Sequence, residues 1–340
     1  MAEPTVAAGY PRSFLDFAVA KGADRKTLLA RAGLSDAGLA DPDNRVPQTG
    51  YIALMKEAAQ LLNEPAVALR FGEAVRMQDI SIVGLICEAA ETTAEVGRQL
   101  NRYARLVVDD EHSGSADVIR GSVDKHGLWM EFVGQRHPLM VEAELARLLE
   151  NTRVMFARSA EFQAMRFPIA AHFTHPDPGY ASEYARIFRA PVVFGSARNA
   201  MLVDPAFLTL RQPPTNRYVF GVLSARADAL LKELEAARSM RGKVESVLLP
   251  ILHTGDAGMD TAAARMGLSR RTLQRKLAAE GTTFEKVLDA LRHRLALDYL
   301  SGRKASVNEV AYLTGFSEPA AFSRAVKRWT GTTPRALRGR

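Results

Sequence analysis

Cysteine is almost missing from this chain: Cys87 is the single one among 340 residues. One thiol excludes an intrachain disulfide framework and any cysteine-clustered zinc site. Long apolar runs are missing too. The longest, such as residues 82–87 and 247–252, fall far short of the roughly 20 residues a transmembrane helix needs. The start, Met-Ala-Glu-Pro-Thr, has no basic stretch leading into an apolar one, so nothing marks the chain for export. A cytoplasmic location is the expectation, and there a lone thiol stays reduced. Glycine (24) and proline (16) are not in excess, which rules out collagen-like and low-complexity architectures. No Gly-x-Gly-x-x-Gly, Walker loop, Gly-x-Ser-x-Gly elbow or His-Glu-x-x-His occurs. The expectation is therefore no enzyme, no metal and no cofactor.

What is present is a chain of two domains' length, 47% hydrophobic and 24% charged, able to bury real cores. Its net charge is +7, from 45 basic and 38 acidic residues. The surplus sits at one end. Positions 241–340 carry 18 Lys+Arg against 9 Asp+Glu, a net of +9, and positions 1–240 a net of −2. A near-neutral body with a basic terminal domain is the layout of a polyanion-binding module attached to something else.

The first hundred residues read as helical. Residues 13–20 and 26–32 have apolar side chains at three- and four-residue spacing, closed by Gly22 and Gly33. The pattern returns over 51–62 and 65–71. Thr93 is placed to cap a helix reaching Leu106, with Val96, Leu100, Tyr103 and Val107 on one face. Near Asp109 the texture changes. Residues 118–122 and 128–133 read as strands of a hairpin turning at 124–127, and 138–159 as a long helix with Val141, Leu145, Leu148, Leu149 and Met155 as its apolar stripe. Next come a strand over 165–173, a short helix over 180–188, and short strands over 192–194 and 200–203. A further helix is expected over 216–237. The fold class is an α+β domain with a helical opening over 1–235, then an all-α domain over 236–340.

Two segments of the basic region repeat. AARMGLS (263–269) and AYLTGFS (311–317) lie 48 residues apart. Behind them, Leu273-x-Arg275-x-Leu277 and Phe322-x-Arg324-x-Val326 lie 49 apart. A short apolar helix, a turn with glycine, a serine and a second amphipathic helix is the helix-turn-helix plan. Gly267 and Gly315 fall where the chain must bend, and Ser269 and Ser317 can accept the N–H groups that open the second helices. In the first of these, Leu273 and Leu277 point inward while Arg271, Gln274 and Arg275 share the outer face. In the second, Phe322, Val326 and Trp329 are the core side, and Ala320, Ser323, Arg324 and Lys327 face out. Arginine can fork onto guanine and glutamine onto adenine in the major groove. Between the copies, residues 284–300 form one long helix, whose Val287, Leu288, Leu291, Leu295 and Leu300 can seat both halves. If that spacer sets the readers about 34 Å apart, one monomer reaches two successive major grooves.

GTTFEKVLDALRHRLALDYL (281–300) followed by VAYLTGFSEPAAFSRAVKRWTGTTPRALR (310–338) resembles the DNA-binding domain of the AraC/XylS family of bacterial transcription regulators. The resemblance covers about 240–340 and includes the terminal Gly331-Thr332-Thr333-Pro334. Residues 176–184, 191–194 and 199–208 are similar to the end of the arabinose-binding-type effector domain in the branch that holds ornithine-utilisation and virulence regulators. The resemblance implies double-stranded promoter DNA as partner, RNA polymerase as a second one, a small-molecule effector, a possible homodimer, and more often activation than repression. It places base contacts on Arg271, Gln274 and Arg275 in the first copy and on Pro319, Ala320 and Arg324 in the second. Arg270, Ser323, Lys327 and Arg328 complete the expected DNA-facing set. Pro319 and Ala320 depart from more polar second readers, since neither side chain can hydrogen-bond a base. The second copy is then expected to read thymine methyls or groove shape, or to grip phosphate. Gln274→Ala or Arg275→Ala should relax sequence choice more than Arg324→Ala.

The body offers fewer signals. His172 and His175, three apart on a strand, point to opposite faces and do not share a metal. Asp109-Asp110-Glu111-His112 reads as a solvated loop. Cys87 reads as a small core residue rather than a redox sensor, and Glu142, Glu144 and Glu150 as the polar face of their helix. Tyr103, Trp129, Arg136 and His172 are candidates for an effector pocket because they are polar or aromatic groups near sheet and helix edges. A constitutive DNA-binding protein whose first domain only dimerises stays open beside the effector-responsive regulator.

Overall fold

A computed structural model of the chain describes residues 3–109, 117–134, 136–212, 217–302 and 305–338. The chain divides into two compact units, one up to Leu231 and one from Lys232. Asp110, Glu111, His112 and Asn216 lie outside the described residues. Among the described residues, no helix is long and apolar enough to cross a membrane.

The first unit opens with helices Gly9–Ala20, Arg25–Ala32, Gln48–Leu61 and Val67–Ala74. Their apolar stripes close on one core containing Phe14, Leu28, Leu54 and Phe71. A three-stranded antiparallel sheet, ordered Arg45–Pro47, Thr5–Ala7, Val108–Asp109, edges this core. The helix expected from Thr93 to Leu106 is broken. Thr92 is the cap, its side chain accepting from the Glu95 N–H, and helix Thr93–Arg102 stops at Tyr103 before a short turn, Ala104–Val107. Thr93 is instead buried, its hydroxyl donating to the Phe207 carbonyl.

The five-stranded sheet runs Ile119–Asp124, Gly127–Phe132, Asn199–Val203, Ala170–His172, Val192–Val193, antiparallel except for its last pair. The strand expected over 165–173 is thus three residues long, because a short helix, Ala160–Gln163, and Pro168 precede it; proline has no N–H for a ladder. Leu128, Phe132, Met201 and Val203 face helix Pro138–Met155, whose Val141, Leu145 and Leu149 complete a second core. That helix also meets the opening core through Met140 and Ala143. Packed on two sides, it has little solvated face, and Glu142 and Glu144 are buried rather than polar-face residues. Helix Arg217–Arg238 contributes Phe220, Leu223 and Ala227 to a third cluster with Val83, Ile86, Cys87 and Tyr103. Cys87 is buried, and burial pushes its thiol up to about 12.

The second unit is all helix. Met240–Leu248, Met259–Arg265, Arg270–Ala279 and the first half of Phe284–Gly302 enclose one core. The last turns of Phe284–Gly302, with Val307–Leu313 and Pro319–Thr330, enclose another around Leu300, Val310, Phe322 and Val326.

Candidate nucleic-acid interface and effector cavity

In the first copy, the chain leaves Met259–Arg265 through Gly267 at φ +63°, and the Leu268 N–H returns to the Ala263 carbonyl at 2.9 Å. Ser269 then caps Arg270–Ala279, its hydroxyl accepting from the Thr272 N–H at 3.2 Å. Leu273 and Leu277 are fully buried, which leaves Arg270, Arg271, Gln274, Arg275 and Lys276 exposed on the outer face. Arg270 is held by Asp260 at 2.7 Å. Arg271 and Arg275 make no ion pair among the described residues.

The second copy starts from a capping box, Ser306 with Glu309, and hydrogen bonding from the Ser306 backbone N–H, then from its side chain, holds the Glu309 carboxyl below the usual range. It turns through Gly315 at φ +76°, and the Phe316 N–H reaches the Ala311 carbonyl at 2.9 Å, as in the first copy. From there the copies diverge. Ser317 does not cap the second helix. The N-cap is Glu318, without a side-chain bond, and Pro319 takes the first helical position, where its missing N–H removes one of the donors a cap would satisfy. The change of spacing from 48 to 49 residues is this one-residue insertion between turn and helix. Phe322 and Val326 are buried, and Trp329 donates Nε1 to Asp289 at 2.8 Å while stacking on His293 at 5.0 Å. Ala320, Arg324, Lys327 and Arg328 are exposed, Pro319 and Ser323 half-buried. Arg328 pairs with Asp289 at 2.6 Å.

Both halves sit on the spacer, Phe284, Val287 and Leu291 serving the first core and Ala296 and Leu300 the second. Gly315 also locks them together. A Cβ there would lie 2.4 Å from the Leu252 carbonyl oxygen, and Arg292 donates to the Gly315 carbonyl at 2.7 Å while its guanidinium lies 4.7 Å from the Phe316 ring centroid.

In the first unit, a cavity of about 180 Å³ opens between helix Thr93–Arg102, the hairpin and helix Pro138–Met155, lined by Leu100, Ile119, Met130, Leu148 and Phe156. A narrower recess of about 70 Å³ shares Leu100, Ile119 and Leu148 with it and is lined further along by Tyr10, Arg136, Glu144 and Arg147. Of the four residues expected near a pocket, the structure brings Arg136 here, both Glu144 oxygens accepting from its Nη1 at 2.6 and 2.7 Å. Tyr103 is buried in the cluster with Ile86 and Cys87, donating to Asp228 at 2.8 Å. Trp129 and His172 meet each other edge-on at 4.7 Å beneath Arg198. Strand alternation puts them on the face opposite Leu128, Met130 and Phe132. Burial and the Arg198 charge hold the His172 imidazole below its usual range. His175 lies beyond the strand, its Nε2 3.3 Å from the Tyr184 hydroxyl. Tyr180 and Tyr184 both donate to Glu142, whose carboxyl burial pushes upward against those bonds. No group of three or more potential metal ligands occurs among the described residues.

The residues that sequence reasoning missed are Glu144 and Arg147, both lining the recess. On a helix read in isolation, their spacing is that of a solvated face. Only the double packing of Pro138–Met155 turns them inward.

The family described as the arabinose-binding domain of AraC transcription regulators, N-terminal, matches residues 22–212, and a helix-turn-helix domain family matches 262–340. The chain is 26% identical to the ornithine utilization regulator of Pseudomonas aeruginosa, covering 97% of this chain and 95% of that one. It is 25% identical to the transcriptional regulator VirS of Mycobacterium tuberculosis, over 93% and 91% respectively. Among solved structures, the transcriptional regulator CdpR of Pseudomonas aeruginosa aligns over 93% of this chain and 96% of its own, at 20% identity and a TM-score of 0.39. The chain belongs to the AraC family of transcription regulators, with an arabinose-binding-type domain ahead of an AraC-type DNA-binding domain.

Proposed function

We propose that this regulator reads a two-part promoter site as a single chain and that a small molecule bound in the body, residues 1–235, biases that reading toward activation. The observation that carries the proposal is the pair of exposed, basic second helices seated on one spacer within residues 236–340. Phe284–Gly302 has 19 residues, a helix about 28 Å long, which suits readers in successive major grooves. In the first copy, Arg271, Gln274 and Arg275 are the base-reading groups, because an arginine fork and a carboxamide are the side chains that distinguish guanine and adenine. Arg270 contributes to phosphate contact, as do Lys327 and Arg328. In the second copy, Pro319 and Ala320 present apolar surface to thymine methyls, Ser323 approaches the backbone, and Arg324 supplies the one forked donor.

A ligand in the apolar cavity acts by favouring one of two arrangements of the regulator, which requires only that it bind them unequally. Chemistry on the ligand is not part of the proposal: the relatives are regulators, and the recess carboxylate, Glu144, is bonded to Arg136. The second reading, a constitutive DNA-binding protein whose body only dimerises, is separated by experiment. Mobility shifts on the protein's own upstream and neighbouring promoters are run with and without a metabolite panel that includes ornithine, after the relative's name. Effector response appears as a changed affinity with at least one metabolite. Unchanged affinity and unchanged melting temperature across the panel overturn the sensing role and leave the dimerisation reading.

A further inference from the structure

The recess beside the apolar cavity contains a charge without a counter-charge. Arg147 is 6% exposed, and its Nη1 has no hydrogen-bond partner. Its guanidinium makes no ion pair among the described residues, and its nearest aromatic neighbour is Tyr10, with the guanidinium carbon 5.1 Å from the ring centroid. The carboxylates around it are engaged elsewhere. Both oxygens of Glu144 accept from Arg136, Asp109 accepts from Arg105 at 3.1 Å, and Glu142, five residues earlier and on another face of the same helix, accepts from Tyr180 and Tyr184. The Arg136–Glu144 pair is neutral as a unit, so the recess keeps one net positive charge. Leaving a buried guanidinium unpaired is costly, and such groups are almost always paired. Evolution tolerates the cost where a ligand supplies the missing partner.

We infer that the effector is a monoanion, a carboxylate with an apolar body, whose charged end meets Arg147 in the recess and whose body fills the cavity. This rests on the sensing reading above and gives it a ligand class. The carboxylate accepts in the manner of an arginine–carboxylate fork, while the body lies against Leu100, Ile119, Met130 and Leu148. Gln212 adds a polar contact at the far end. Its Nε2 donates to the Cys87 carbonyl at 3.2 Å, and its buried Oε1 has no partner, so a donor on the tail of the molecule would be accepted there.

The test uses the full chain with 3-phenylpropanoate and hexanoate, each against its primary amide, read by melting temperature and calorimetric titration. The acids are expected to bind about tenfold or more tightly than the amides, the scale of one charge-assisted contact. In Arg147→Met that ratio falls to near one. Without ligand, Arg147→Met should melt at or above the wild-type temperature, because it removes an uncompensated charge and keeps the apolar stem. Amides binding as tightly as acids, a loss of more than about 3 °C in unliganded Arg147→Met, or no binding of either acid overturns the inference. If uncharged metabolites nevertheless shift operator affinity, the sensing reading survives its failure. If no small molecule of any charge moves melting or affinity, both fall.

Discussion

The two helix-turn-helix copies share a turn and differ in the helix behind it. Each leaves its first helix through a left-handed glycine and returns an N–H to the carbonyl five residues back, Leu268 to Ala263 and Phe316 to Ala311. The first copy then caps with Ser269 and presents arginine, glutamine and arginine. The second inserts one residue, opens on Pro319 without a side-chain cap, and presents proline, alanine and arginine. The shared part is what the backbone geometry demands. The differing part is free to be set by what each helix touches, and it is the first copy that exposes two arginines and a glutamine together.

The largest expected break in the comparison is at the glycines. Gly315→Ala meets both a positive φ and the Leu252 carbonyl 2.4 Å from the new Cβ. It should cost about 3 kcal/mol or more, combining left-handed strain with overpacking. At Gly267 the new Cβ has nothing within 4 Å, so Gly267→Ala should cost about 1–2 kcal/mol of strain alone. Thermal melts of the two variants check this, and equal losses would mean that Gly315 does not lock the halves together.

Next come the readers. Gln274→Ala or Arg275→Ala should each lose about 1–3 kcal/mol of discrimination at one base pair. Lys327→Ala should weaken binding evenly across sequences and flatten the slope of log K against log[salt] by about 0.9. Titrations at several salt concentrations on matched and mismatched sites separate these two signatures. The smallest effect is at the caps. Ser269→Ala should cost about 1 kcal/mol, whereas Ser317→Ala should stay within about 0.5 kcal/mol, as exposed substitutions without a structural role do.

Much of this was legible in the sequence. The repeat, the spacer, the hairpin and most helices can be read from periodicity, glycine placement and charge distribution. The cap of the second copy was not, because Ser317 matches Ser269 by alignment to the turn, and only the helix start shows that Pro319 moves the register by one. Thr92 and Thr93 are equally good capping residues side by side, and the choice falls on Thr92, which has the extended backbone of an N-cap, φ −138° and ψ 157°, while Thr93 is buried with its hydroxyl donating to the Phe207 carbonyl. The cavity was the least legible part. Trp129 and His172 are aromatic and polar at a sheet edge, as expected, yet they pack together on the sheet face opposite the cavity. Glu144 and Arg147, three apart, have the spacing of a solvated stripe, Glu142 lies on another face of the helix, and it takes the second layer of packing on Pro138–Met155 to bury all three.

The most direct test of the central claim, that Arg275 of the first copy reads a base while Arg324 of the second chiefly holds the backbone, is a base-substitution scan of the operator. It is carried out with wild type, Arg275→Ala and Arg324→Ala at one fixed salt concentration. The account predicts that Arg275→Ala flattens the base preference within one half-site, while Arg324→Ala lowers affinity with the preference pattern nearly intact. A flattened pattern with Arg324→Ala and an intact one with Arg275→Ala would contradict it.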